Sequence, residues 1–398
     1  MPIGTFNTNN IPADLAKKSF ASLITRLMPN GQAPLFGLTS MLTTETALAT
    51  THSFWTKTMI FPEVTINAAQ LAGDTTLTVT STTNILPGML LRNQTTGEVF
   101  IVNTIVSGTS ITVTRAVGTT VAAAMSASQK CYQVGNAFEE GSVRPAAQNI
   151  YPVKISNVTQ IFRNSWALTD TVRAVQMAAG DTNIAESKQD CAAFHAADIE
   201  KMLFWGQKFE GTRNNSPFRT MDGLYNTIVT YAPTNINAAG GTTTYNQLET
   251  YLNPVFNTVT DPKNSNERLI FVGGSARVVI NNIGRLYGQY QMVDGQTVYG
   301  LQFQTFKTTR GTFKLIEHPL LNSNTDWAKM AFVVDLSCFN LAYLGDRKTQ
   351  HKGYNAAGQE IASDSGIDAV GGTLTTECTM LLKNPQACAV ITGLTAAA

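Results

Sequence analysis

The stretch NIAESKQDCAAFHAADIEKMLFWG, residues 183–206, carries the longest uninterrupted helical signal in the chain. Asn183 is placed to cap the first turn, and Glu186, three positions on, completes a capping-box pattern. No proline interrupts the run, and Gly206 supplies a stop. At 3.6 residues per turn, Cys191, Phe194, Ile199, Met202, Leu203 and Trp205 fall on one broad apolar arc, while Glu186, Gln189 and Glu200 point the other way. The spacing predicts an amphipathic rod of about 33 Å. Its sequence neighbours are β-rich before it and mixed after it, so the rod is expected to be the backbone to which separate lobes attach.

The 398 residues suffice for two or three domains, each with its own core. Only 14% are charged, against 43% apolar, so the polar surface must be built largely of Thr, Asn, Ser and Gln. Such a surface costs little to desolvate. A neutral globular protein and a protein with extensive subunit contacts both satisfy it. A net charge of +1 gives no overall footprint for gripping phosphates, which disfavours wholesale nucleic-acid binding. Five cysteines without a CxxC pair argue for free thiols in a reducing compartment. Residues 1–10 lack an apolar export segment, and no run of eighteen apolar residues occurs. The expectation is a protein that stays on the cytoplasmic side.

Residues up to about 10 read as an extended arm, followed by a short helix that Pro29 and Gly31 stop, and then by a second helical candidate over 34–49. Residues 63–134 read as a self-contained β module with strands at 64–66, 76–80, 89–92, 99–105 and 111–115. Turn signals at Gly73-Asp74, Pro87-Gly88, Thr96-Gly97 and Ser107-Gly108 separate them, which suggests a small barrel or sandwich. An extended segment over 153–163 would return from this excursion, and exposed β-arms of that kind are hazardous unless another subunit covers them. Beyond Gly206, a loop through Gly223 leads to a helix over 245–259 kinked at Pro254. A buried strand at 268–272 meets Gly273-Gly274 and a helix over 276–286, and further strands fit 302–308, 313–317 and 331–336. Strands at 374–382 and 387–391 imply that the tail pairs back into the body.

Candidate chemistry is sparse. Gly273-Gly274 between strand and helix resembles a phosphate-cradling loop but lacks GxGxxG spacing and a GK[ST] ending; an ordinary turn is expected. His195 and Asp198, three apart on the rod, fit a structural pair better than a metal site, because no third ligand is nearby in sequence. No GxSxG elbow exists, and no spacing singles out a pair of catalytic acids. Neither a catalytic set, a cofactor nor a metal site is predicted.

Several residues carry a resemblance to a known family. They are Pro87-Gly88 with Thr96-Gly97-Glu98-Val99, Phe138-Glu139-Glu140-Gly141-Ser142, and Asn157 with Thr159-Gln160-Ile161-Phe162. Asp198-Ile199-Glu200 with Gly206, and a closing run of Gly372-Thr373-Leu374, Glu377, Lys383-Asn384-Pro385 and Gly393-Leu394, complete the set. In this order they resemble the tailed-bacteriophage major capsid proteins of the Hong Kong 97-type fold. The resemblance implies an α+β chain with a long spine helix, an extended β loop carrying an inserted small all-β module, and a mixed axial domain.

Mapped onto this sequence, the N-terminal arm is 1–32, and the peripheral domain is 33–62 with 165–223, its spine helix at 183–206. The inserted module is 63–134, the returning arm of the loop 135–164, and the axial domain 224–344; residues 345–398 return to the peripheral domain. Thr159, Gln160, Phe162, Glu186, Glu200 and Trp205 are the residues expected to carry structure and assembly.

The function implied is self-assembly into hexamers and pentamers of an icosahedral shell around packaged double-stranded DNA, in the virion, after assembly in the host cytoplasm. Partners would be other copies of the chain, a separate scaffolding protein and portal, and a decoration protein, with weak non-specific contact to DNA and none to membrane. The arm starts almost at once, which is why the scaffold is expected to be separate, and no lysine–asparagine cross-link is predicted. A different class competes: a carbohydrate- or receptor-binding surface or tail protein that uses the β module.

Overall fold

Ile184–Trp205 forms one helix of 22 residues, and the elements around it show why. The computed structural model describes residues 34–41, 44–57, 61–174, 184–258, 266–286, 297–298, 301–302, 304–354 and 369–395. The arm expected over 1–32 and the cap expected at Asn183 lie outside them. The chain divides into two units, residues 55–154 and the remainder. Together they make an α+β protein.

The buried stripe of the long helix is Cys191, His195, Ile199 and Leu203, a repeat of four that keeps one face aligned along the axis. Two expectations are corrected here. Phe194 is 68% exposed, and Glu200 is fully buried. The hydropathy arc placed them the other way round because it averaged over a helix whose core side also carries polar groups.

Gly206 ends the helix by close approach rather than by a left-handed cap. A Cβ there would lie 2.6 Å from the carbonyl oxygens of Met202 and Met221, and one on Gly223 would lie 2.5 Å from Gly206 N. Gly223 N donates to Gly206 O at 2.9 Å, so two glycines let two backbone segments touch.

The helix packs on a five-stranded sheet. Its order is Glu45–Ala47, Phe339–Leu344, Ala369–Leu382, Gln160–Thr169, with Gln350–Tyr354 also paired to Ala369–Leu382. The ladder between Gln160–Thr169 and Ala369–Leu382 runs unbroken from Gln160↔Cys378 to Thr169↔Ala369. Alternation sends Phe162 and Trp166 inward and leaves Ile161, Arg163, Ser165 and Ala167 exposed.

A six-stranded sheet forms the second layer system of this unit. Its order is Ile236–Ala238, Ala389–Thr392, Ala331–Val334, Glu267–Val272, Thr312–Glu317, Gln304–Lys307. Arg268 to Val272 are all buried, as expected of a central strand covered on both faces. The expected kink falls where helix Tyr245–Leu252 gives way to a 3₁₀ turn at Asn253–Phe256 containing Pro254. The tail does pair back, through Ala389–Thr392. That strand joins the sheet built from the 224–344 range, whereas Phe339–Leu344 joins the helix-backed sheet with Ala369–Leu382. The two sheets therefore exchange strands across the boundary drawn at 344.

In the unit of residues 55–154, six strands follow the order Glu63–Thr65, Lys130–Asn136, Met89–Asn93, Val99–Ser107, Ser110–Thr114, Thr76–Thr78, every neighbour antiparallel. The bridge Ile66↔Val79 joins the ends of the first and last strands, closing the sheet into a small barrel and removing its edges. Val64, Leu77, Leu91, Phe100, Ile111 and Val113 fill it. Glu98, buried in the barrel wall, holds Arg115 through two contacts of 2.6 and 2.7 Å and accepts from Ala116 N and Ala123 N. One carboxylate thus secures the irregular segment after the last predicted strand.

The legs of the excursion are Thr51–Thr56 and Val153–Val158, which pair with each other. Thr56 Oγ1 donates to Val153 O and Thr159 N to Thr50 O, so the legs run antiparallel.

Candidate functional site

Among the described residues, the long helix organises a set of buried polar contacts that join segments distant in sequence. Glu200 is the densest. Leu35 N donates to its Oε1 at 2.8 Å and Phe36 N to its Oε2 at 2.7 Å, so the carboxylate caps the first turn of helix Pro34–Met41, where backbone N–H groups lack partners. His318 Nε2 donates to the same Oε1 at 2.6 Å. The tautomer follows from the other side of the ring: Nδ1 accepts from Leu320 N at 3.2 Å, so the proton sits on Nε2 and the imidazole is neutral. Phe204 packs its ring against His318 with centroids 4.8 Å apart. Three segments separated by more than a hundred residues meet on one carboxylate.

A second contact lies on the face of the sheet away from the helix. Glu377, 1% exposed, accepts from Thr159 Oγ1 at 3.0 Å and pairs with Arg347 at 2.8 Å and Arg219 at 3.8 Å. Gln160 Oε1 accepts from Met221 N at 2.9 Å. Asn157 uses its whole amide: Nδ2 donates to Asp222 O and Met380 O, and Oδ1 accepts from Val158 N and Asp222 N. Burial pushes the Asp222 carboxyl above its ordinary range, partly offset by Asn226.

His195 and Asp198 are linked, but through a third residue. Asn164 Nδ2 donates to Asp198 Oδ2 at 2.9 Å, and its Oδ1 faces His195 Nδ1 at 2.7 Å. His195 Nε2 meets Thr376 Oγ1 at 2.7 Å. Burial lowers the His195 pKa, and the Asp198 charge only partly opposes this. The ring is therefore neutral near pH 7, with Nδ1 facing the amide oxygen and Nε2 facing the Thr376 hydroxyl, which donates to Thr349 Oγ1 at 2.9 Å.

The remaining predicted residues take ordinary packing places. Phe162 is in the core under the helix. Trp205 stacks on Trp327 at 4.8 Å and lies edge-on to Phe332. Glu186 sits half-buried in the first turn of the helix. The structure unites Thr159 with Glu377, and Gln160 and Phe162 follow Thr159 at the start of the next strand, with Phe162 turned to the helix; it does not bring Glu186, Glu200 and Trp205 into one cluster.

Sequence reasoning missed His318, Asn157 as a four-bond bridge, and the arginines on Glu377. Only long-range contacts reveal them; the helical pattern around Glu200 contains no trace of a partner 118 residues away.

The Gly273-Gly274 turn is an ordinary one. A Cβ on Gly273 would collide with Ala328, and Gly274 N at the start of the helix is already taken by Asn322 Oδ1 at 2.6 Å. Among the described residues no three His, Cys, Asp or Glu side chains form a metal cluster.

Internal braces of this kind hold one subunit together, and the comparisons with known proteins give the class: a virion structural protein. The family model of the SU10 major capsid protein matches residues 2–395. The major capsid protein of Pseudomonas phage PaMx41 is 40% identical over 400 residues, spanning 98% of this chain and 96% of the relative. The chain belongs to the SU10 major capsid protein family, and it is the major capsid protein of a phage. Among solved structures, one from Mycobacterium phage Bobi is similar over 98% of this chain and 99% of its own, with 11% identity and a TM-score of 0.47. One from Mycobacterium phage Adephagia covers 99% of both chains, with 10% identity and a TM-score of 0.47. The competing reading, a surface or tail protein using only the β module, is not favoured, because family and relative both match the whole chain.

Proposed function

We propose that the chain adopts the Hong Kong 97-type arrangement and assembles into hexamers and pentamers of an icosahedral shell around packaged double-stranded DNA. In this reading Ile184–Trp205 is the spine of a peripheral domain, residues 55–154 are the extended loop with its inserted barrel, and the six-stranded sheet is the axial domain. Residues 1–32 act as an arm on a neighbouring copy. Thr159, Gln160, Phe162, Glu186, Glu200 and Trp205 serve assembly by keeping each subunit rigid.

The supporting observation is where large apolar side chains remain uncovered. Leu48 is 94% exposed, Phe61 72%, Val143 88% and Tyr151 80%, with Trp55, Phe138 and Val153 also exposed. These seven of the twenty exposed large apolar side chains among the described residues lie on residues 48–61 and 138–153, with Leu71, Val121 and Phe194 among those exposed elsewhere, and residues 141–149 are exposed without strand pairing. A chain this poor in charge gains by covering that surface with other copies. A separate scaffolding protein, a portal and a decoration protein complete the proposed partner set, and assembly takes place in the host cytoplasm.

Negative-stain microscopy with sedimentation of the purified chain tests the reading. Shells, tubes or capsomer rings are expected, alone or with the candidate scaffold. A uniform monomer under both conditions would refute it.

A further inference from the structure

One face of the five-stranded sheet is packed by the long helix, and part of the other is open. On the open side the outward residues of Gln160–Thr169 are Ile161, Arg163, Ser165 and Ala167. Arg163 pairs in register with Thr375, which pairs on its other side with Gln350; Ser165 pairs with Thr373, which pairs with Lys352. Directly opposed residues in a sheet share a face, so Arg163, Gln350, Ser165 and Lys352 lie together. The neighbouring His351 supports this alternation, since it turns the opposite way to accept from Trp166 Nε1 at 3.1 Å. Arg347 and Arg219 reach the same face through Glu377, opposite Ile161.

Arg347 and Arg219 pair with the buried Glu377 carboxylate, and Glu210 stands opposite Arg219 in its hairpin; Arg163 and Lys352 lie further along the same face as exposed cations, in a protein whose net charge is only +1. Side chains between them are hydroxyls and an amide, and Ile161 is the one large apolar group exposed there among the described residues. A protein partner would need an apolar anchor to bury. Phosphates need cations interspersed with hydroxyl and amide donors, and no anchor.

We infer that this face, centred on Arg163 and Lys352 with Arg347 and Arg219 at its edge, is where the subunit contacts the phosphates of packaged duplex DNA. The inference rests on the proposed reading that the shell encloses DNA. Contact is weak for each copy and accumulates over the many copies of a shell, which leaves the nucleic acid free to be released.

The test uses the full chain below the concentration at which sedimentation detects shells, so that assembly and binding are read separately. A fluorescent duplex of about 20 base pairs is titrated by anisotropy between about 50 and about 200 mM salt. Arg163→Gln combined with Lys352→Gln should reduce the slope of log affinity against log salt by about 2. Arg92→Gln combined with Lys130→Gln, exposed barrel residues, should leave it unchanged. If the double variant does not fold, Lys352→Gln alone should lower the slope by about 1.

An unchanged slope in the sheet variants, or an equal loss in the barrel variant, would overturn the inference. So would polyglutamate binding that depends on Arg163 and Lys352 while the duplex fails to bind, which would assign the face to an acidic protein. A parent chain that never forms shells but binds duplex through these residues would sink the capsid reading and leave the face standing.

Discussion

Removing the Glu200 carboxylate should be among the most damaging single changes in this chain. Glu200→Ala strands three buried donors, Leu35 N–H, Phe36 N–H and His318 Nε2–H, now 2.6 to 2.8 Å from its oxygens. An unsatisfied buried donor costs about 1–3 kcal/mol. Partial collapse of the site recovers some of the summed cost, so a loss of about 4 kcal/mol is expected. Glu200→Gln should cost about 1–3 kcal/mol, because its amide has one acceptor oxygen for three donors at two positions. Urea unfolding followed by tryptophan fluorescence reads both variants, since Trp205 and Trp327 stack in the adjoining core. Glu140→Ala, on an exposed residue, should stay within about 0.5 kcal/mol of the parent. If Glu200→Ala did too, the carboxylate would not be the brace described here.

Three further outcomes follow from the same geometry. Gly372→Ala would place a Cβ 2.6 Å from His351 Nε2 and 2.8 Å from Trp166 Nε1, so it should separate that pair, cost about 1–3 kcal/mol and shift the fluorescence of Trp166. His195 has a native pKa below its ordinary value because it is buried. Its contribution is therefore fully present above about pH 6.5 and is lost as pH falls through the unfolded value toward the native one; His195→Gln should flatten the stability profile below about pH 6.5 in denaturant titrations. All five cysteines are buried, with the Cys131 and Cys378 thiols pushed up to about 12, chiefly by burial. A thiol reagent at mild alkaline pH should consequently label none of them quickly in the folded chain and all of them after unfolding; fast labelling of the native protein would contradict the packing.

The parts of this fold that show in the sequence are those with local causes. Five of the six barrel strands were readable from alternating residues between glycine turns, and Gly88 and Gly97 do adopt the left-handed backbone those turns require. Lys130–Asn136 was not, because only Cys131 in it is buried and the strand has almost no apolar signature. The hairpin of Phe209–Arg213 and Ser216–Thr220 looked like a loop for a similar reason: its side chains are mostly exposed, and its turn is made by Asn214 and Asn215 at positive φ rather than by glycine. The site was less legible than the fold. Thr159 and Glu200 were singled out, but their partners Glu377 and His318 come from elements set by tertiary pairing, and hydropathy assigned Glu200 to solvent. A buried carboxylate satisfied by remote donors reads, one residue at a time, like any surface acid.

The paired legs have a consequence for how such a chain can change. Because Thr56 meets Val153, the entry and exit of nearly a hundred residues lie one strand spacing apart, about 4.8 Å. A tight turn could close the same gap. The barrel is thus a cassette in a socket: lineages could gain, lose or exchange it, and a foreign domain whose termini lie close together could be grafted in its place, without redrawing the sheet and helix that hold the rest of the subunit.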